Sequence, residues 1–256
     1  MKSKIFTIVK TLLVISVSGC VASVLWAGFH YMNTDPRFNV RKITVMGLTR
    51  VDESDVMARI KLRTGKNTNI FAVDMQDVRA SVEKIQWVRY ATVLRVLPDQ
   101  IIINVVERKP IGLATIEGHV YEFDAEAAIL EPDPSSSQSF PILLGLHDND
   151  TEGNLRRISL YTRAIADLGA DGLSEIIVNQ SNEVSVVREE NPLIVNLGAD
   201  DFKERWSRYL AVKDRISSEY KDAVRVDLRF RNKVILSMQD ENDGGKVIWD
   251  GKKKSL

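Results

Sequence analysis

The chain has 256 residues with 35 basic and 35 acidic side chains, so its formal charge near neutrality is zero and it lacks the basic excess typical of nucleic-acid binders. A single cysteine excludes an internal disulfide framework and any zinc site built on several thiolates, and three histidines leave little for a histidine-rich metal cluster. With 44% hydrophobic residues, including 8 Phe, 6 Tyr and 4 Trp, there is enough to bury for one large or two small globular units, which argues against disorder.

Charge is unevenly spread. Lys2, Lys4 and Lys10 are the only charged side chains before Asp35, which leaves an uncharged run from Thr11 to Thr34. Crossing roughly 30 Å of hydrocarbon takes about 20 helical residues, so this run predicts a membrane-spanning helix over 11–34 behind a short cytoplasmic tail, 1–10. Trp26 and Tyr31 near its far end suit an aromatic interface anchor. Arg37, Arg41 and Lys42 follow closely, so the positive-inside count is nearly balanced, and the lysine cluster ahead of the span favours a cytoplasmic N-terminus. Two rival readings use the same stretch. One is a cleaved export signal; the other is a lipoprotein signal, because Val17-Ser18-Gly19-Cys20 resembles a lipobox. Greasy chain continues past Cys20, where a polar tether is the norm, so the uncut helix is the reading adopted. Beyond the lysines, 32 basic residues face 35 acidic ones in the body of the protein.

Residues 38–45 alternate apolar and polar at 38, 40, 43 and 45, which predicts a strand ending at Gly47. Asp52 and Asp55 stand ahead of an apolar stripe at Val56, Met57 and Ile60, and Asp74 and Asp77 ahead of one at Val78, Val82 and Ile85; both patterns predict short helices. Two strands follow, one placing Val88, Tyr90, Thr92 and Leu94 on one face, the next running from Ile101 to Val106 and stopping before Pro110. Leu97-Pro98-Asp99-Gln100 is the turn between them, and Glu107 with Arg108 is expected to be a solvated pair at the strand end. The order β-α-α-β-β predicts a two-layer α/β module.

Short β-like runs dominate the rest, at 113–116, 119–123 and 127–130, then an exposed loop over 131–139 and a return at 140–145. Leu155, Ile158, Thr162, Ile165 and Leu168 predict a helix over 152–169. Strands at 174–178, 183–188 and 193–197 precede a second helix over 201–217, with Phe202, Trp206, Tyr209 and Leu210 on one side. The body closes with runs at 223–230 and 233–237 joined at Arg231-Asn232, a hairpin pattern, and an acidic, Gly-rich stretch after Met238 is expected to be a flexible tail.

No catalytic constellation emerges. His119 lies in strand alternation away from any nucleophile elbow, and His147-Asp148-Asn149-Asp150 lacks the spacing and closing glutamate of a calcium loop, so a polar turn is expected there. No Gly-rich phosphate loop with a lysine is present. The expectation is a protein without cofactor or metal, offering open strand edges on which another chain can add a strand.

The segment Phe38 to Gly47, the loop Leu62 to Ile70, and Trp87-Val88-Arg89-Tyr90-Ala91-Thr92-Val93-Leu94-Arg95-Val96-Leu97-Pro98 followed by Glu107-Arg108-Lys109-Pro110 resemble the POTRA domain of the FtsQ/DivIB family of bacterial cell-division proteins. Asn196-Leu197-Gly198 before a helix and Val226-Asp227-Leu228-Arg229-Phe230 are similar to the family's second domain. Two departures are visible: Gln86 stands where the family usually has Pro, and Leu97 where Trp often precedes Pro. The resemblance implies an α+β protein made of a tail (1–10), a single span (11–34), a POTRA domain (35–109), a mixed β domain with peripheral helices (110–238) and a flexible tail (239–256). It also implies a non-enzymatic inner-membrane division protein with its body in the periplasm, enriched at the septum and linking early and late factors by binding FtsB- and FtsL-like bitopic partners. By motif, Asp227, Leu228, Arg229 and Phe230 belong to the partner-binding region, and Lys233, Val234, Ile235, Leu236 and Ser237 form the receiving strand. A POTRA-bearing export or outer-membrane assembly component, or an exported membrane-anchored enzyme, is the alternative.

Overall fold

In the computed structural model, which describes residues 2–60, 68–132, 140–147, 149–238 and 246–250, the chain opens with a long helix, α1 (Lys2–Thr34). Its stretch Leu12–Thr34 is long and apolar enough to cross a membrane, and none of it is buried among the described residues. Polar side chains there bond back to their own helix, Ser23 to the Gly19 carbonyl and Thr34 to that of His30, as suits a segment without water. The chain then divides into two compact units, Met1–Arg108 and Lys109–Leu256.

In the first unit the strand predicted from Phe38 starts later. The Asp35 carboxylate accepts the Arg37 N–H and caps a 3-10 turn at Pro36–Phe38, while Phe38 packs edge-on against Phe71. Asn39 and Val40 pair with residues 68–69, so β1 spans only Lys42–Met46. It joins β2 (Val88–Val96) and β3 (Gln100–Glu107) in the order β1-β3-β2, β1 parallel to β3 and β2 antiparallel to it. Helices α2 (Glu53–Arg59) and α3 (Met75–Val82) contribute Val56, Val78 and Val82 to a core shared with Ile101, Ile103 and Val105. The inter-helix loop matched at 62–70 lies, over 61–67, outside the described residues.

Two expectations are corrected here. Tyr90, Thr92 and Leu94 do not share a face with Val88: a register shift between Val88 and Tyr90 turns Ala91 and Val93 inward. The extra residue is accommodated because β2 is an edge strand, and Glu83 at the end of α3 accepts the Ala91 N–H. Nor is Glu107 merely solvated. Its carboxylate accepts the backbone N–H groups of Thr49, Arg50 and Val51 at 2.8–3.0 Å and holds the connection between β1 and α2.

The second unit is built on a ten-stranded sheet among the described residues. Its strands are β4 (Pro110–Ile116), β5 (His119–Asp124), β6 (Ile129–Leu130), β7 (Ile142–Leu144), β8 (Leu173–Val178), β9 (Val184–Arg188), β10 (Asn191–Gly198), β11 (Ala223–Asp227), β12 (Lys233–Met238) and β13 (Lys246–Asp250). They lie in the order β13-β12-β11-β10-β9-β8-β7-β4-β5-β6. Helices α4 (Thr151–Leu168) and α5 (Phe202–Glu219) bury Ile158, Tyr161, Phe202, Tyr209 and Ile216 in one core with the sheet. Leu210, read as part of that stripe, is instead exposed. The strand read at 127–130 shortens to β6 because the Asp124 carboxylate accepts the Glu126 and Ala128 N–H groups and closes a turn.

At 147–150, Asp148 is outside the described residues, and Asp150 caps α4 by accepting the Gly153 N–H while its other oxygen pairs with Arg157 at 2.8 Å. Residues 133–139 of the expected loop are likewise outside them. The C-terminal expectation changes most: 246–250, read as flexible tail, is a strand, whereas 239–245 and 251–256 are outside the described residues.

Candidate partner-binding surface

The predicted partner-binding residues gather at the β10-β11-β12-β13 end of the sheet. Strand β11 runs parallel to β10 and ends at Asp227; the Leu228 N–H then donates to the Asn196 carbonyl, extending the pairing by one residue. The chain bends there and returns as β12, antiparallel to β11. Period-two alternation divides the nine residues. Leu228, Val234 and Leu236 are fully buried and belong to the core. Asp227, Arg229, Phe230, Lys233, Ile235 and Ser237 reach the surface to different extents, and Phe230 is the large apolar side chain among them, 49% exposed.

Strand β12 is not an open edge. It is flanked by β11 on one side and by β13 on the other, Ile235 standing opposite Asp227 and Val247. Valine and isoleucine at 247 and 248 give the chain's own C-terminal residues enough strand-forming apolar character to take that place, and Ile248 is buried there. The outermost strand at this end is β13.

An arginine-rich cluster shapes the bend. The Arg229 guanidinium pairs with Asp227 at 2.7 Å and with Glu183 at 3.1 Å. From α5, Arg208 donates to the carbonyls of Phe230, Arg231 and Leu228 at 2.7, 2.8 and 3.0 Å, while Arg205 donates to the Leu197 carbonyl and pairs with Asp200. With Asp201, Glu204 and Arg231 these arginines line a pocket of about 60 Å³. Sequence reasoning missed Arg208 and Glu183. Arg208 precedes the buried Tyr209 on α5 and Glu183 precedes β9, and no local pattern ties either to residues 228–231.

Hydrogen bonds from Arg229 and then Asn179 hold the Glu183 carboxyl below its ordinary value. Burial works to raise Asp227, but its bonds from Arg229 outweigh that and the net shift is downward; Asp227 and Glu183 in turn raise Arg229. Carboxylates lowered in the folded state contribute stability that is present above their unfolded values, about pH 4, and lost as pH falls through the folded ones. The second unit is therefore expected to melt at the same temperature from pH 6 to pH 8 as far as this cluster is concerned, and to weaken below about pH 4, with Arg229→Ala flattening that acid limb. A melting series that keeps its acid limb in the variant would remove the cluster as its cause.

The larger hollow beside α4, about 620 Å³, is lined by Ile111, Leu155, Ile158 and Ile165, and Arg163, the one charged side chain lining it among the described residues, lies over the Phe202 ring at 5.0 Å. Among the described residues no three His, Cys, Asp or Glu side chains converge as a metal site would require.

Residues 38–108 match the family model for the POTRA domain, FtsQ-type. The cell division protein FtsQ of Koribacter versatilis is 34% identical over 180 residues, 66% of this chain and 52% of that protein, so the chain spans about half the length of this relative. FtsQ of Actinobacillus pleuropneumoniae is 30% identical over 167 residues, 63% of this chain and 69% of the relative. The chain belongs to the FtsQ family of bacterial cell-division proteins. FtsQ of Syntrophotalea carbinolica matches more of it, 24% identical over 239 residues, 89% of this chain and 83% of that one. The major extracytoplasmic domain of DivIB from Geobacillus stearothermophilus, 16% identical, covers 44% of this chain and 97% of that structure at a TM-score of 0.29, too low to bear on the fold. As an FtsQ-family protein the chain combines an apolar N-terminal helix, a POTRA module and a mixed-sheet unit with helices, an α+β architecture.

Proposed function

We propose that this FtsQ-family protein is a non-enzymatic assembly protein of the divisome. It sits in the inner membrane with α1 as anchor and its body in the periplasm, is enriched at the septum, and links early and late division proteins by binding FtsB- and FtsL-like bitopic partners. The partner adds its strand at the β11-β12-β13 end of the sheet, where main-chain bonds supply affinity and the neighbouring side chains supply specificity. The observation that carries this reading is the convergence there of an outermost strand, an exposed Phe230 and the Arg229 guanidinium. Phe230 offers an apolar anchor, and the arginines favour an acidic partner side chain beside it.

Ending the chain after Met238 removes β13 and tests the place of docking. If the partner extends the sheet from β13, binding to an FtsB-type periplasmic segment is lost; if β13 stands in the partner's own place against β12, binding tightens. Affinity unchanged by this truncation and by Phe230→Ala would take the partner away from this end of the sheet.

A further inference from the structure

The first unit begins without a tether. Asn69, itself buried, donates its side-chain amide to the Met32 carbonyl in the last turn of α1, at 2.8 Å. Asn39 bridges to Asn69, the Val40 N–H donates to the Thr68 carbonyl, and the N–H groups of Arg41 and Lys42 both donate to the Asp99 carbonyl. This chain of contacts brings the β2–β3 turn to the same end of the module as the exit of α1. If the apolar residues from Leu12 to Tyr31 fill the roughly 30 Å of hydrocarbon, that end lies at the bilayer surface.

What the turn presents there is unusual for a water-facing loop. Leu97 is 55% exposed, and Leu94 and Val96 on the outer face of β2 are exposed as well, the face that the register shift at Val88 turns outward. Arg41 and Lys42, both exposed, flank it, with Arg41 at 3.9 Å from the Asp99 carboxylate of the turn and still open to the solvent side. Apolar side chains rimmed by cations are the composition that lies in a headgroup layer, the apolar part at the acyl boundary and the cations against anionic lipid.

We propose that the β2–β3 turn, centred on Leu97 and Pro98, seats in the lipid headgroup layer beside α1, with Arg41 and Lys42 against anionic headgroups, so that the first unit rests on the membrane in a fixed orientation. The occupant is the lipid surface itself, because the bilayer is already at this end of the module through α1. The proposal rests on α1 lying in the bilayer, and its test reads that separately.

The full chain, with Cys20→Ser, is placed in lipid nanodiscs carrying an environment-sensitive fluorophore on one introduced cysteine: Leu97→Cys at the turn, Thr49→Cys at the opposite end of the sheet, or Leu25→Cys inside α1. Strands rise about 3.3 Å per residue, which separates positions 97 and 49 by roughly 20 Å along the sheet. The probe at 97 is expected to emit further to the blue than the probe at 49 and to be quenched by lipids spin-labelled near the headgroup. Phosphatidylglycerol should strengthen that quenching, and Arg41→Glu with Lys42→Glu should reverse the gain. The probe at 25 is expected to be quenched by labels deep in the acyl chains. Emission at 97 equal to that at 49, with position 25 quenched, overturns the docking alone. An unquenched probe at 25 overturns the anchor and the docking together.

Discussion

Replacing Glu107 by Ala is expected to destabilise the first unit by about 3 kcal/mol, since hydrogen bonds to a charged group contribute roughly 1.5–3 kcal/mol each and three partly exposed donors recover some of the loss from water. The three donors, Thr49, Arg50 and Val51, are consecutive, so one carboxylate fixes the whole connection between β1 and α2. Glu107→Gln should fall between, because an amide keeps one acceptor oxygen and turns the other position into a donor facing donors. Gly47, just before this connection, has φ +86°, and a Cβ there would stand 2.1 Å from the Val105 carbonyl oxygen. That contact is with backbone and cannot be relieved by a side-chain turn, so Gly47→Ala is expected to cost as much as Glu107→Ala. The two act on one connection, and the double variant should cost less than their sum. Hydrogen exchange on the full chain checks this: amides of 49–51 and β1 should lose protection while β8–β10 in the second unit keep theirs. Protection at 49–51 retained in Glu107→Ala would show that the carboxylate is not what holds the turn.

The part of this architecture that could be read from sequence is the part written in periodicity. Val78 and Val82 one helical turn apart, and the β-branched residues Ile101, Ile102, Ile103, Val105 and Val106, interrupted only by Asn104, state their element directly. The failures have a common physical cause, a partner distant in sequence. The shift at Val88 reverses the face of β2 because an edge strand can absorb one extra residue and because Glu83 is there to accept the Ala91 N–H; alternation alone carried Val88, Tyr90, Thr92 and Leu94 onto one face. Glu107 looks like any acid at a strand end until the chain 56–58 residues earlier is folded against it. Residues 246–250 were hidden by their polar surroundings, where the neighbouring glycines and lysines outweighed a three-residue apolar run, Val247-Ile248-Trp249, that needs only β12 beside it to become a strand. At the candidate site, the motifs 227–230 and 233–237 lie together at one end of the sheet, while the buried or exposed role of each residue came only with the pairing of β11 and β12.

Arg208→Ala is expected to affect that site more than any substitution of the exposed residues themselves. The guanidinium reaches three carbonyls within four residues, donating to Leu228, Phe230 and Arg231, and so fixes the bend that presents Arg229 and Phe230. Removing it leaves three carbonyls without their charged donor and should cost about 2–3 kcal/mol, less than three full bonds because the carbonyls near Phe230 gain water. Arg208→Lys should restore little of this, since an ammonium on a flexible stem cannot reproduce a planar fork reaching three acceptors. Arg229→Ala differs in kind: its guanidinium is 43% exposed, its pairs with Asp227 and Glu183 are surface pairs, and the stability change should stay near 1 kcal/mol or below. If an FtsB-type partner reads the shape of the bend, Arg208→Ala should weaken binding about tenfold or more, matching a loss of roughly 1.4 kcal/mol from a disordered contact surface. Arg229→Ala should weaken it only through the lost charge, and so less at high salt than at low. Measuring both affinities at two ionic strengths separates the contributions. Wild-type affinity in Arg208→Ala, alongside faster exchange of the 228–231 amides, would mean that the partner reads β13 and its edge rather than the bend.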